Sequence, residues 1–222
     1  MDTKAIATKL RQLDEQLVAT VPDGNWWPAS SRFEMMLGAI LTQNTSWTQV
    51  EVAISALKQA VRLQPEAILA LEPNEVETLI RPAGSFRKKA SYLRAISQWY
   101  LERGRAAEAE SDTDLRTELL AIPGVGFETA DSILLYAYDR PVFIYDLYAR
   151  RLLEAAGLGS YEKYQIAERA LRPAVQAAAF TTGELQAFHG RIVDAGKLAR
   201  KLGGWTKAYD ALIAGNLASE TS

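Results

Sequence analysis

A lone carboxylate within an apolar and aromatic run is the first candidate for chemistry in this chain. The run reads VFIYDLYARRLLEAA, and its only acid before the helical stretch is Asp146. An ionised carboxylate can stabilise positive charge on a sugar or direct a water molecule onto a sugar carbon. Asp146 also precedes a good helical sequence, so it can act as an N-cap, and both capping and the helix dipole favour the ionised form. The residues alone leave cap and catalyst open, and the two roles can coexist.

A glycine-punctuated turn lies upstream of Asp146. Ile122-Pro123-Gly124-Val125-Gly126 separates two helical patterns. Such a turn presents backbone N–H groups at the start of a helix, where a phosphate can bind. We expect Gly124, Val125 and Gly126 to donate these N–H groups. A phosphate-binding turn followed by an isolated acid indicates an enzyme that holds a nucleic-acid backbone and does chemistry beside it.

The elements that position these groups are predicted to be helices. Apolar residues recur at three- and four-residue spacing, as in Ile6-Leu10-Leu13-Leu17 and Val50-Ile54-Leu57-Val61. Alternating β-branched runs bounded by hairpin turns are absent from the sequence. The proline and glycine punctuation between the periodic runs gives about ten helices of modest length. The sequence therefore predicts an all-α protein.

Composition limits the class of protein further. The 222 residues are 48% hydrophobic and 23% charged, which suits one soluble globular domain or two small lobes. No apolar run approaches the ~20 residues that span a bilayer, and the charged N-terminus lacks a signal-peptide core. We therefore expect a cytoplasmic protein without a membrane partner. Because the chain has no cysteine, disulfides, thiolate zinc sites and cysteine-ligated iron–sulfur clusters are excluded.

The charge distribution is acidic overall but locally basic. The net charge of −2 and the pI of about 5.6 argue against a nonspecific DNA coat protein. Residues 81–94 nevertheless contain five cations and no acid, and residues 187–207 contain five cations and one acid. Each run fits a DNA-facing surface and a solvated helix face equally well.

Four short motifs resemble those of one enzyme family and occur in the same order. They are Trp26-Trp27-Pro28, Thr42-Gln43-Asn44-Thr45, the hairpin Gly124-Val125-Gly126-Phe127-Glu128-Thr129-Ala130-Asp131, and Phe188-His189-Gly190-Arg191-Ile192-Val193. The chain resembles the helix-hairpin-helix DNA glycosylases of the endonuclease III superfamily, most of all its cluster-free 3-methyladenine DNA glycosylase III branch. The resemblance implies a two-lobed all-α fold with the active site in the cleft between the lobes. It places a six-helix block at residues 30–136 and a second lobe at residues 1–29 plus 137–222.

The resemblance also implies an activity. It predicts a monofunctional DNA glycosylase of base-excision repair that flips alkylated purines, chiefly 3-methyladenine, out of double-stranded DNA and hydrolyses them off. Asp146 would be catalytic. Glu128 stands where lyases of the family carry the lysine that forms a Schiff base, so no AP-lyase step is expected. Glu128 is the second catalytic candidate because it could shape the pocket or contact the sugar, while its alternative role is to stabilise the first turn of its helix.

Aromatic residues near the first core helix form the expected base pocket. In the resembling branch, the positions of Trp26, Pro28 and Trp47 line that pocket, and Trp27 is adjacent. An electron-rich indole favours a cationic ring such as that of 3-methyladenine. Tryptophans also fill cores, and two adjacent ones cannot point the same way, so one of the pair is expected in the core. Lys197 matches a base-contacting lysine of the branch, but it could instead hold a phosphate or lie on the surface.

The remaining candidates are expected to contact DNA away from the base or to bind an ion. Gln43 matches the residue that fills the gap left by the extruded base, Ser85 falls in the second intercalating loop, and Thr129 belongs to the hairpin motif. The backbone carbonyls that could hold Na⁺ or K⁺, as in hairpins of the family, are those of Leu120, Ile122 and Val125. No cofactor is otherwise required.

Relatives of the resembling family stabilise the second lobe with an iron–sulfur cluster or, in this branch, with a modified lysine, and this chain has neither residue type at those places. Arg191 stands where the branch has a modified lysine, so another device must hold this lobe, aided by packing around Trp205 and Tyr209. His189 is expected to be a hydrogen-bonded residue at the lobe interface and not a catalyst. We expect a monomer that binds damaged double-stranded DNA.

Two alternatives to this function remain. A glycosylase for a neutral lesion, such as uracil or mismatched thymine, would need polar groups that discriminate the base edge. A non-catalytic module for damaged DNA would need only the hairpin and the basic surfaces. The combination of Asp146 with the aromatic residues favours the alkylated-purine enzyme over both.

Overall fold

The computed structural model describes residues 2–21, 27–217 and 219, and the regular secondary structure in this part of the chain is entirely helical. The α-helices are α1 (Thr3–Thr20), α2 (Arg32–Leu41), α3 (Trp47–Ala60), α4 (Pro65–Ala70), α5 (Pro73–Leu79), α6 (Phe86–Arg103), α7 (Asp112–Leu120), α8 (Phe127–Ala137), α9 (Leu147–Ala155), α10 (Tyr164–Ala178), α11 (Thr182–Lys201) and α12 (Trp205–Ile213). Two 3₁₀ turns lie at Arg81–Ala83 and Ala106–Ala109. The all-α prediction is confirmed. The sequence predicted fewer helices because α4 and α5, which both begin at a proline, are too short to show a helical period.

The chain divides into two compact units. Pro28–Arg140 forms one, called here the central unit, and Met1–Trp27 with Pro141–Ser222 forms the other, called here the terminal unit. Arg140 is tied to the central unit because its backbone N–H donates to Leu134 O at 2.9 Å and its guanidinium donates to Glu108 O at 2.8 Å. Within the part of the chain that the structure describes, every helix is too short or too polar to cross a bilayer.

The core of the central unit is α2. Every residue from Phe33 to Leu41 is buried, and α8 and α6 pack against this helix. The helix begins at Ser31, whose hydroxyl caps the N–H of Glu34 at 3.2 Å. The buried carboxylate of Glu34 is paired with Lys58 Nζ at 2.5 Å, which offsets the cost of burying the charge.

An ion pair joins α7 to α8 and so fixes the two helices of the hairpin. Arg116 Nε and Nη2 donate to the two carboxylate oxygens of Asp131 at 2.6 and 2.9 Å. Asp131 is only 1% exposed, so the bidentate geometry is what makes its charge tolerable in the interior.

The terminal unit is built around α11. The α1 helix buries Leu10, Leu13 and Leu17 and packs mainly against α10, while α9 and α12 pack against α11. A direct ion pair at Arg191 joins α11 to α1. Arg191 Nη1 lies 3.1 Å from Asp14 Oδ1, and both side chains are mostly buried.

A second ion pair connects the same two helices. Arg11 Nη1 lies 2.6 Å from Glu184 Oε1, and the Arg11 guanidinium stacks on the ring of Phe180 at 3.9 Å. The hydrogen bonds from Arg11 and Thr181 lower the pKa of Glu184 to about 2. These ion pairs add to the apolar core of the unit, which includes the buried Trp205 of α12.

Candidate active site

The hairpin between α7 and α8 contains a tight turn that requires glycine at Gly124 and favours proline at Pro123. Val125 N donates to Ile122 O at 3.0 Å, with Pro123 and Gly124 at the two central positions. Gly124 has a φ of 88°, the left-handed value required at the third position of a type II turn. A Cβ at Gly124 would also lie 2.2 Å from Cγ of Tyr92, so this position accepts glycine alone for two reasons.

One predicted phosphate donor of the hairpin is already used. The Val125 N–H closes the turn onto Ile122 O in the free protein, and its donation to a phosphate stays a prediction. The Ile-Pro-Gly-Val pattern itself signals this turn, so the sequence contained the information. The Ile122 carbonyl keeps one lone pair for an ion, and ion binding by Leu120, Ile122 and Val125 stays a prediction.

Gly126 offers an open helix N-terminus. It is the exposed N-cap residue of α8, has no side chain to cap the helix, and has a φ of −93°, which any residue can adopt. A Cβ built there meets no atom within 4 Å. The fold therefore does not require glycine at this position, and the space in front of α8 suits an approaching phosphate. Glu128 is exposed in the first turn of the same helix, where its charge also matches the dipole.

Gln43 is bonded to the hairpin. Its Nε2 donates to Gly124 O at 2.8 Å and to Thr129 Oγ1 at 3.0 Å. Thr129 is 7% exposed, and its hydroxyl oxygen accepts this hydrogen bond in the interior. Sequence reasoning placed Gln43 and Thr129 on DNA independently and missed this contact between them. Their binding to DNA stays a prediction.

Only three of the five cations in residues 81–94 are exposed at the surface. Lys89 is buried, and Arg94 Nη1 donates to Leu69 O at 3.1 Å and Leu71 O at 3.0 Å. Arg81, Arg87 and Lys88 remain exposed. Ser85 is exposed at the start of α6 and has a φ of 44°, unusual for a serine.

The predicted base-pocket residues lie in different parts of the chain. Trp26 is outside the described residues. Trp27 is half-buried in the terminal unit and has a φ of 74°, a strained value for a bulky residue. Pro28 is exposed and Trp47 is half-buried at the start of α3, both in the central unit. A pocket formed by these residues stays a prediction.

Asp146 ends a buried extended segment and begins α9. Its Oδ1 accepts the N–H of Ala149 at 2.7 Å, so the predicted cap is present. The preceding Tyr145 packs its ring against Phe143 at 4.8 Å and edge-on to Tyr164 at 5.8 Å between centroids. Asp146 is 7% exposed. Capping and aromatic packing together hold the carboxylate in one orientation.

His189 lies beside Asp146. Its Nε2 is 3.9 Å from Asp146 Oδ2, which is too long for a hydrogen bond. Burial lowers the pKa of His189 to about 3, so the imidazole is neutral near pH 7 and the contact is not a salt bridge. His189 and Asp146 are far apart in the sequence, and no local sequence pattern predicts their contact. Lys197, further along α11, is exposed and lies 2.7 Å from Asp194 Oδ1, so its contact with a base stays a prediction.

Among the described residues, no three His, Cys, Asp or Glu side chains are grouped to hold a metal ion. Two candidate groups stand out in the described residues: the fixed carboxylate of Asp146 in the terminal unit and the helix N-terminus at Gly126 in the central unit. Neither supplies a nucleophilic amine.

Comparison with known sequences identifies relatives. Residues 37–176 match the family described as HhH-GPD superfamily base excision DNA repair protein. A candidate DNA repair glycosylase of Methanocaldococcus jannaschii is 47% identical over 139 residues, which are 60% of this chain and 63% of that protein. Endonuclease III of Sulfolobus acidocaldarius is 32% identical over 135 residues, 60% of each protein. The matched region thus spans less than two thirds of these relatives.

Comparison with solved structures agrees. The 3-methyladenine DNA glycosylase (MagIII) of H. pylori, bound to 1,N6-ethenoadenine, superposes with a TM-score of 0.72 at 28% identity over 89% of this chain and 98% of that one. Endonuclease III, in a trapped covalent intermediate with DNA, gives 0.71 at 19% identity over 86% of each chain, a likeness of fold alone. Since the family match covers more than half of a chain with this fold and hairpin, the protein belongs to the HhH-GPD superfamily of base excision DNA repair proteins.

Proposed function

We propose that this protein is a monofunctional DNA glycosylase that excises alkylated purines, chiefly 3-methyladenine, from double-stranded DNA. The observation that supports the proposal most strongly is the environment of the Asp146 carboxylate. Its carboxylate is buried, is fixed by the Ala149 N–H and stands beside a neutral imidazole that adds no positive charge. A fixed carboxylate in a poorly solvated site is suited to stabilising positive charge on a sugar.

The reaction needs one bond broken and one formed. The C1′–N9 bond breaks and its electron pair leaves with the purine, so the sugar becomes positively charged. Asp146 stabilises that charge, and the oxygen of a water molecule bonds to C1′ as the water loses a proton to the carboxylate or to solvent. The products are the free base and an abasic site.

The substrate class follows from the leaving group. 3-Methyladenine is cationic in DNA and leaves as a neutral base, so a single carboxylate suffices without a general acid. Indole rings favour a cationic base, which supports roles for Trp26, Trp27 and Trp47, together with Pro28. The likeness to the H. pylori 3-methyladenine DNA glycosylase supports the same class. In this proposal Lys197 contacts the base or an adjacent phosphate.

The absence of an AP-lyase step is part of the proposal. A Schiff base needs an accessible amine near C1′, and the hairpin position that would supply it holds Glu128. Lys89 is buried and cannot replace it. Glu128 instead contacts the sugar or supports the first turn of α8.

DNA binding is assigned to the central unit. The N–H groups of Gly124 and Gly126 hold a phosphate, and Gln43 and Ser85 enter the duplex where the base has left. The carbonyls of Leu120, Ile122 and Val125 would hold a Na⁺ or K⁺ ion, which supplies positive charge to the hairpin. The enzyme acts as a monomer.

The test is base release from three duplexes with one purified protein. One duplex is methylated with dimethyl sulfate, one contains uracil and one contains a G·T mismatch, and free bases are resolved by chromatography. The proposal expects release of 3-methyladenine and little from the other two. Release of uracil or thymine alone would assign the enzyme to neutral lesions, and binding without release of any base would assign a non-catalytic module.

A further inference from the structure

The ammonium group of Lys89 is enclosed by four oxygen atoms of the central unit. Its Nζ lies 2.8 Å from the carbonyl oxygens of Leu41, Gln43 and Ala83 and 2.9 Å from Oγ1 of Thr45. Lys89 is 3% exposed. Three ammonium hydrogens are thus shared among four acceptors. Burial lowers the pKa of Lys89 to about 8, so the group is mostly charged at neutral pH.

These oxygens come from the end of α2 and the residues just after it, and from the end of a 3₁₀ turn. Leu41 is the last residue of α2, and Ala83 is the last residue of the 3₁₀ turn before α6. Carbonyls at such ends lack backbone partners and carry the negative end of the helix dipole. Lys89 satisfies them, and it thereby joins residues 41–45 to residues 81–85. Thr45 joins the segments directly as well, because its hydroxyl donates to Ala83 O.

Each joined segment contains an exposed residue with a left-handed backbone. Asn44 has a φ of 52° and Ser85 a φ of 44°. Such residues persist only where the surrounding structure holds them, and they are concentrated at functional sites. In the free protein, the side chain of Gln43 also donates to Gly124 O of the hairpin at 2.8 Å.

We propose that Lys89 is a positioning residue that joins segments 41–45 and 81–85 into one rigid surface, and that this surface holds a DNA duplex open during base extrusion. The second half of this inference rests on the proposed function, which assigns both segments to DNA. Extrusion breaks stacking and pairing, and rigid segments can offset that cost because they lose no further freedom on binding. Lys89 itself touches neither the base nor the sugar.

The first arm of the test needs no DNA. Amide hydrogen exchange is measured in the free protein for peptides covering 41–45 and 81–85, with α3 and α8 as internal references. Lys89→Met should speed exchange in both segments together by about tenfold or more. Lys88→Met is the matched control, because it removes the same charge from the exposed neighbour on the same helix, and it should change neither segment.

A second pair of variants keeps the test valid if Lys89→Met fails to fold. Thr45→Val removes the hydroxyl that contacts both Lys89 and Ala83, while Thr45→Ser retains it. Faster exchange in both segments for Thr45→Val, with rescue by Thr45→Ser, supports the connection. Unchanged exchange in Lys89→Met or Thr45→Val, or a uniform rise that includes the reference helices, overturns it.

The second arm uses a duplex with a stable abasic analogue flanked by 2-aminopurine, whose fluorescence rises on unstacking. Wild type and Lys88→Met should raise the fluorescence, and Lys89→Met should lose most of the rise at saturating protein. A Lys89→Met protein that unstacks the duplex as wild type does would overturn the positioning role. A wild-type protein that neither binds nor unstacks this duplex would overturn the proposed function, whereas the exchange result would still decide the connection between the segments.

Discussion

His189 Nε2 lies 3.9 Å from Asp146 Oδ2, and the two buried side chains come from the helix α11 and from the N-terminus of α9. The imidazole is neutral because burial disfavours its charged form. A neutral ring excludes water from one side of the carboxylate without cancelling its charge. His189 is therefore a packing partner of Asp146 in this account.

The first prediction concerns stability in acid. The pKa of His189 is about 3 in the folded protein, against an ordinary value of 6.5. Below the ordinary value the unfolded chain takes up a proton that the folded protein does not, so the free energy of unfolding falls as the pH falls from about 6.5 to about 3. At about pH 5 the loss from this group is about 2 kcal/mol. Urea unfolding across this range should show a shallower loss for His189→Gln, and identical slopes for the two proteins would contradict the neutral imidazole.

The second prediction concerns the ion pair beneath the hairpin. Asp131→Asn removes the charge that accepts both hydrogen bonds from the half-buried Arg116 guanidinium, and it should lower the free energy of unfolding by about 2 kcal/mol. Asp112→Asn is the matched control, since it makes the same change in a half-exposed pair with Arg140 at 3.4 Å. That control should change stability by about 0.5 kcal/mol or less. Equal effects of the two substitutions would remove the special role of the Arg116–Asp131 pair.

The third prediction concerns Gly126 of the hairpin. Gly126→Ala should keep stability within about 1 kcal/mol, because the added Cβ meets nothing and the backbone is ordinary. It should weaken binding to duplex DNA by about tenfold or more, because the methyl group occupies the space where a phosphate approaches α8. Fluorescence anisotropy measures this, with Gly183→Ala at the start of α11 as a control that also meets no atom. Unchanged affinity in Gly126→Ala would remove this helix terminus from the interface.

The fourth prediction concerns Glu128. Borohydride trapping on abasic DNA should give no covalent adduct with wild type, since no accessible hairpin amine is present. Glu128→Lys should introduce one and raise trapped product at least about tenfold above the background, while Glu128→Gln should not. An adduct with wild type would show that an amine elsewhere in the chain reaches C1′.

Local features of this fold could be read from the sequence. Helical spacing, the proline and glycine breaks and the cap at Asp146 each depend on residues within one or two turns of each other. The Ile-Pro-Gly-Val turn was equally local, and the use of its Val125 N–H follows from the turn type.

Long-range features could not be read in this way. The Lys89 contacts, the Arg191–Asp14 pair and the neighbourhood of His189 and Asp146 join residues far apart in the chain, and each depends on how helices pack. In sequence, Lys89 is one of several similar cations in a basic run, and nothing local distinguishes it from exposed Lys88.

The most direct measurement compares wild type with Asp146→Asn in single-turnover release of 3-methyladenine from duplex DNA methylated with dimethyl sulfate. Asparagine also caps helices well, so the variant should lose no more than about 1 kcal/mol of stability. It should bind DNA containing an abasic analogue as wild type does and release base about 10²-fold more slowly, because it lacks the charge that stabilises the sugar. A variant that folds, binds and releases 3-methyladenine at the wild-type rate would contradict the catalytic role of Asp146.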